Sequence, residues 1–162
     1  SHGMRLLMEH PEQYQALVDD PSLIEDAIEE ILRYNPAVIA FRRTATCDLE
    51  LGGQQIREGD KIQMYYGAAS SDEAVFADGD TFDIRRNQRE DVRNEHRAFG
   101  VGQHFCLGSH LARLELRVIF EEITRRMRNP RLDGEISWLH SNFISGIKAM
   151  PIRFDTAGDT SA

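Results

Sequence analysis

Apolar residues recur at helical spacing from Met4 to Val18, at positions 4, 7, 8, 14, 17 and 18, and Pro11 divides the stretch into two short helices. In Pro21-Ser22-Leu23-Ile24-Glu25, Ser22 is placed to cap the next turn while Glu25 reaches back, a capping box. The pattern predicts a helix from about Leu23 to Tyr34, stopped at Asn35-Pro36 because the residue before a proline is driven out of the helical region. From Val38 to Tyr66 the period shortens to that of strands. Asp48 to Leu51 and Lys61 to Tyr65 are the clearest runs, and Gly52-Gly53 and Glu58-Gly59-Asp60 mark turns, which together predict a small sheet. Residues 67 to 105 lose periodicity, are rich in Asp, Arg, Asn and Gly, and far exceed a normal connection, so something other than their own ladder must hold them. Helical spacing returns at Leu107 to Arg128. Leu107, Leu111, Leu114 and Val118 lie beside Ala112, Leu116, Ile119, Ile123 and Met127, a face wide enough to predict a central, heavily buried helix ended by Asn129-Pro130. Residues 131 to 154 read as short strands and turns, and Thr156 to Ala162 as a small, polar, frayed tail. The expected fold class is therefore mainly α with small antiparallel β-sheets (α+β).

Composition narrows the partners. The chain of 162 residues is 41% apolar, which suits one globular domain able to bury about two-thirds of its unfolded surface. Nineteen basic against 27 acidic side chains give a net charge of −8, a field that repels DNA, RNA and anionic membranes, so no nucleic-acid partner is expected. The apolar runs, such as Ile28 to Leu32 and Val118 to Phe120, are short and broken by charge, so no membrane insertion is expected. Two cysteines, Cys47 and Cys106, are too few for a disulfide scaffold, which fits a soluble protein of the reducing cytoplasm.

Phe99-Gly100-Val101-Gly102-Gln103-His104-Phe105-Cys106-Leu107-Gly108 carries the chemistry. Its three glycines permit positive φ and close approach of backbone to a partner. Cys106 stands at the start of an apolar helix, where the dipole and free N–H groups favour thiolate, a ligand for a soft or redox metal. Three other fates compete: a buried structural thiol; a nucleophile, for which only His104 and His110 offer a base; and a zinc site with His96, His104 and His110, whose spacing is unlike that of paired zinc ligands.

Residues 99 to 108 resemble the haem-binding loop of the cytochrome P450 haem-thiolate monooxygenases, Phe-Gly-x-Gly-x-(His/Arg)-x-Cys-x-Gly, and match it at every fixed position. The resemblance implies haem b as cofactor and Cys106 as proximal iron ligand and catalytic residue, with Phe99, Gly100, Gly102, Gly108 and Ala112 as further cofactor-binding positions. Glu30-Ile31-Leu32-Arg33 looks like the family's Glu-x-x-Arg, and Phe82 to Arg86 like its Phe-x-x-x-Arg, so Glu30, Arg33 and Arg86 are expected to form one buried network that holds residues 67 to 105. Arg43 and His104 match the partners of the two haem propionates, with Arg42 the competitor for the first role. Cys47 has no family counterpart and is expected to be a small buried hydrophobe.

The same resemblance implies insertion of one oxygen atom into a C–H bond of an apolar small molecule. Its walls are expected at Val38, Ile39, Phe41 and Phe143, with Arg113 contacting a ferredoxin-type electron donor. Phe143 to Pro151 and the cysteine loop look nearest to bacterial hydroxylases of sterol side chains or similar lipids, whereas Ser70-Ser71-Asp72 departs from the usual Asn-Arg-Asp. The likeness covers residues 4 to 154 but only the C-terminal part of the family fold. Residues 1–155 are thus expected to be the haem-ligating part, completed by an N-terminal half that brings the proton relay, and 156–162 a flexible tail. The opening Ser1-His2-Gly3-Met4 is expected to be the interior of a longer protein rather than a tag. A second hypothesis stays open at this point, a non-catalytic remnant that serves as a haem-binding or interaction module.

Overall fold

Ile24, Ala27, Ile28 and Ile31 fall at i, i+3, i+4 and i+7, and all four are buried, so their helix becomes the hub of the core. In the computed structural model, which describes residues 1–158, that helix is α3 (Ile24–Tyr34). Before it come α1 (His2–Glu9) and α2 (Pro11–Asp19), broken at Pro11, the first helical residue of α2, where a missing N–H costs nothing. Met4, Leu6 and Leu7 of α1 and Tyr14 and Leu17 of α2 pack on α3 with Phe82, Ile84 and Phe120. A Cβ on Gly3 would come within 2.8 Å of both Ile31 and Phe120, so the glycine lets α1 cross close against both neighbours.

The capping box does not form. The Asp20 carboxylate accepts from the Ser22 amide at 3.1 Å and its hydroxyl at 2.6 Å, which opens a short 3₁₀ turn at Pro21–Leu23, and α3 begins at Ile24 without a side-chain cap. An Asp two residues upstream accepts the Ser22 amide that Glu25 would take in the box, and turns the hydroxyl proton toward itself.

The strands form four two-stranded antiparallel ribbons, and the fold is mainly α with small antiparallel sheets. β1 (Ala40–Thr44) pairs with β4 (Lys61–Tyr65) and β2 (Leu49–Leu51) with β3 (Gln54–Ile56), so residues 38 to 66 make two ribbons rather than one sheet. Later, β5 (Met127–Leu132) pairs with β8 (Ile152–Thr156) and β6 (Ser137–Trp138) with β7 (Ile147–Ala149). Thr156 is thus paired with Met127 instead of beginning a frayed tail, and residues 159–162 of that expected tail lie outside the described residues.

Residues 67 to 105 contain α4 (Tyr66–Ser70), α5 (Val92–Glu95) and isolated turns, and buried charge holds them. The Arg33 guanidinium grips Glu30 with two hydrogen bonds, of 2.7 and 2.8 Å, and donates to the carbonyls of Ser70, Gly79 and Thr81. Arg86 reaches Glu30 at 3.3 Å and donates to the carbonyls of Ala77, Asp78 and Thr81, while the Asp83 amide donates to Glu30. Glu30 and Arg33 are fully buried and Arg86 nearly so. The arginines take the place of a strand ladder by satisfying carbonyls that have no regular partner.

The last helix, α6 (Ser109–Arg126), departs from expectation. It starts two residues later than the apolar pattern suggests and runs directly into β5, where Asn129-Pro130 sit in a bulge instead of ending the helix, because a proline cannot donate to the ladder. Nor is it buried throughout. Leu116, Phe120 and Ile123 face the core, whereas Leu107, Leu111, Leu114 and Val118 are exposed, Leu107 by 99%. No element among the described residues packs over that second stripe, which carries the same helical period as the first.

Candidate functional site

The stretch before α6 folds into a closed turn. Gly100 and Gly102 both take φ of +74°, open only to residues without a Cβ at little cost, and this brings the Cys106 amide back to donate to the Phe99 carbonyl at 3.0 Å. Phe105 N–H to Gly102 O, at 3.0 Å, closes a 3₁₀ turn that carries His104. Cys106 lies in this turn, three residues before α6, and its carbonyl accepts from the Ser109 amide; Gly108, not the cysteine, occupies the N-cap. The thiol is exposed, and so are Val101, Phe105, Leu107 and Leu111 around it in sequence. Ala112, half-buried, lies in the first turn of α6, and His104 is exposed.

The other expected residues form a second group. The Ile39 amide donates to the Phe143 carbonyl at 2.9 Å, Val38 bridges Ile144, and the Phe41 and Phe143 rings meet edge to face at 5.2 Å, so Val38, Ile39, Phe41 and Phe143 come together. Arg43 shares the Phe41 face of β1, with its guanidinium 5.9 Å from that ring, and alternation turns Arg42 to the opposite face. Tyr66 links the two groups: its ring lies 5.9 Å from Phe41, and its hydroxyl is 3.3 Å from where a Gly100 Cβ would stand. Only its place at the junction of β4 and α4 could have pointed to this residue.

Arg113 is not a free surface cation. Its Nε and Nη2 donate to the two oxygens of the buried Glu29 carboxylate at 2.7 and 2.9 Å, and its guanidinium lies 4.8 Å from the centre of the Phe99 ring. His96, also buried, completes the cluster, with Nε2 3.1 Å from Glu29 Oε2. Its Nδ1 accepts from the Ala98 amide, so Nε2 carries the proton and donates to Glu29. Burial pushes the Glu29 carboxyl up, but hydrogen bonds from His96 and Arg113 and the Arg113 charge more than reverse this and leave it below its ordinary range. Glu29 carried no role in the sequence argument and His96 only that of a candidate zinc ligand, since a Glu beside the Glu-x-x-Arg pair and a lone His have no distinguishing spacing. Beside this cluster runs a groove of about 450 Å³ lined by Arg93, Arg97, Phe105, Ser109, His110 and Arg113.

Two alternatives for the thiol drop away. Among the described residues no three His, Cys, Asp or Glu side chains gather as a metal site, and His96 is committed to Glu29, so zinc held by Cys106 with His96, His104 and His110 has no geometry. A buried structural role fails because Cys106 is exposed. Cys47 is exposed as well, contrary to expectation, since it lies in the turn after β1 rather than under the ribbon. The donor set suits a flat apolar macrocycle around a soft metal: a thiol in an uncovered apolar face, open space where a Gly102 side chain would stand, and the Arg43 guanidinium and the His104 ring exposed as N–H donors for peripheral acids. Among the described residues no helix is long and apolar enough to cross a membrane.

A family model described as Cytochrome P450 matches residues 5–130. The chain is 44% identical over 156 residues to a steroid C26-monooxygenase of Mycolicibacterium smegmatis, covering 95% of this chain and 38% of that protein. It is 43% identical over 154 residues to a methyl-branched lipid omega-hydroxylase of Mycobacterium bovis, covering 94% of this chain and 35% of that one. Among solved structures, Cytochrome P450-153 from Novosphingobium aromaticivorans superposes with a TM-score of 0.88 at 37% identity, covering 96% of this chain and 38% of that chain. The chain therefore spans little more than a third of the length of these relatives.

Proposed function

We propose, from the premise that this chain belongs to the cytochrome P450 family, that it supplies the haem-ligating part of a monooxygenase acting on an apolar substrate. The observation that carries the reading is the Cys106 thiol, exposed within an uncovered apolar face by a turn that two positive-φ glycines and the Phe99–Cys106 hydrogen bond hold closed. Cys106 is the proximal ligand to the iron of haem b. Phe99, Gly100, Gly102, Gly108 and Ala112 lie around the same bend and the first turn of α6. Arg43 and His104 pair with the propionates, and Arg43 takes this role over Arg42 because it shares a face with Phe41. When bound, the haem supplies the dioxygen chemistry: one oxygen atom enters a C–H bond and the other leaves as water, at the expense of two electrons and two protons.

Val38, Ile39, Phe41 and Phe143 contribute an apolar wall that holds the substrate and excludes water. The names of the relatives support a sterol or branched lipid as its class. Residues 1–155 act as the C-terminal part of the family fold, and an N-terminal half covers the exposed stripe of α6 and brings the proton relay. A ferredoxin-type donor approaches on the Cys106 side, where Arg93, Arg97 and His110 line the groove while Arg113 remains bound to Glu29. Two free cysteines suit the cytoplasm.

The test is the visible spectrum of the reduced, carbon-monoxide-bound protein. A thiolate-type Soret band that disappears in Cys106→Ser is the expected result. A protein that stays haem-free in the presence of haemin overturns the reading and leaves an interaction module.

A further inference from the structure

No role in the proposed function engages the cluster of Glu29, His96 and Arg113, yet two paths of contact lead from it to the turn that presents the cysteine. Glu29 projects from α3, the most buried helix of the core, and so provides a fixed point. Both of its oxygens are bound by Arg113, which sets the plane of a guanidinium whose carbon lies 4.8 Å from the centre of the Phe99 ring. The His96 ring lies 6.0 Å from the same ring. Through its two nitrogens His96 also ties Glu29 to the Ala98 amide, which fixes the backbone leading into Phe99. The Phe99 carbonyl in turn accepts the Cys106 N–H at 3.0 Å. Two routes from one carboxylate therefore meet at Phe99, one through its ring and one along its chain, and a single hydrogen bond passes the constraint on to the cysteine.

We infer that Glu29, His96 and Arg113 are positioning residues that hold the Phe99 ring and carbonyl and thereby the Cys106 amide. This deepens the proposed function, on which the assignment of Cys106 as iron ligand rests. Arginine suits the task and lysine does not, because only a planar fork binds both carboxylate oxygens and lies flat toward an aromatic ring at once. Hydrogen-bonded groups one step removed from a ligand set its orientation in this way.

A double-mutant cycle tests the inference. Exchange of the Cys106 amide hydrogen is measured in the full protein with Arg113→Lys, Phe99→Leu and both, with the Ile31 amide of α3 as the reference for global opening. Arg113→Lys is expected to speed Cys106 exchange about five- to tenfold relative to Ile31, and in the Phe99→Leu background to change it by less than about twofold. The ferric–ferrous equilibrium of the haem-loaded protein is read in the same four proteins and is expected to follow the same non-additive pattern. Equal effects of Arg113→Lys in both backgrounds, or no effect in either, would overturn the positioning role. Should Arg113→Lys fail to fold, His96→Ala takes its place: its route runs along the backbone, so it is expected to speed Cys106 exchange relative to Ile31 equally in both Phe99 backgrounds, and no effect in either would overturn the positioning role. Amide exchange requires no haem, so a protein without a thiolate-type spectrum sinks the proposed function while the cycle still decides the positioning role.

Discussion

Glu29 and Glu30 are neighbours on one helix, both buried and both paired with arginine, yet the networks they anchor differ in kind. Around Glu30 every partner is enclosed. Arg33 and Arg86 spend most of their remaining N–H groups on backbone carbonyls between residues 70 and 81, Arg86 also meets Glu90 at 3.2 Å, and the Asp83 amide completes the Glu30 carboxylate. Around Glu29 the network opens outward: Arg113 is partly exposed, Arg93 approaches at 4.0 Å from a largely exposed position, and the groove beside the cysteine turn begins there. The first network stands in for missing secondary structure, and its charges are tolerable only because each is fully met. The second places a rigid carboxylate beneath a site. Identical chemistry thus serves scaffold or site according to what surrounds it.

The largest effect should come from breaking the closed network. Arg33→Ala leaves the buried Glu30 carboxylate with only Arg86 and the Asp83 amide as donors and removes the guanidinium from the Ser70 and Gly79 carbonyls, at a cost of about 3–5 kcal/mol, a large share of the roughly 5–15 kcal/mol that holds a domain together. The cooperative thermal transition should be lost in circular dichroism. Glu29→Gln should cost less, about 1–3 kcal/mol, with a lowered urea midpoint and a retained fold; a loss equal to that of Arg33→Ala would erase the distinction between the networks. Acid should weaken the hold of the Glu29 network. The Glu29 carboxyl is held below its ordinary value of 4.5 in the folded chain, so the unfolded chain binds the extra proton, and stability falls as pH drops through that value toward the lower folded one. Glu29→Gln should flatten that slope in urea titrations between pH 5 and 3, expressed as about one proton fewer taken up on unfolding. The smallest effect is expected for Glu122→Gln. Arg125 and Arg126 both approach Glu122 at 2.6 Å, as near as any pair in the molecule, yet the group is exposed and the urea midpoint should not move measurably.

Much of this architecture could be read along the chain. Proline and helical spacing located α1, α2 and α3, alternation located β4, and the ten residues ending at Gly108 pointed to the family and singled out a candidate site. Glu30, Arg33 and Arg86 were legible as a network only through that resemblance, since i, i+3 spacing places two of them on one helix face and says nothing of the third. The capping of α3 differs from the pattern because two carboxylates, Asp20 and Glu25, compete for one Ser22 amide, and the residue outside the familiar pattern takes it.

What the chain order determined by itself was local: where most elements lie, which faces are apolar, and where a cysteine is set in a glycine-bent turn. Tertiary structure alone decided which of the two apolar stripes of α6 meets the core, that Tyr66 joins the strand to the cysteine turn, and that Arg113 turns inward to Glu29, 84 residues away in sequence. Periodicity records that a face avoids water without naming what covers it, and a hydrogen bond between distant residues leaves no periodic trace in the sequence at all.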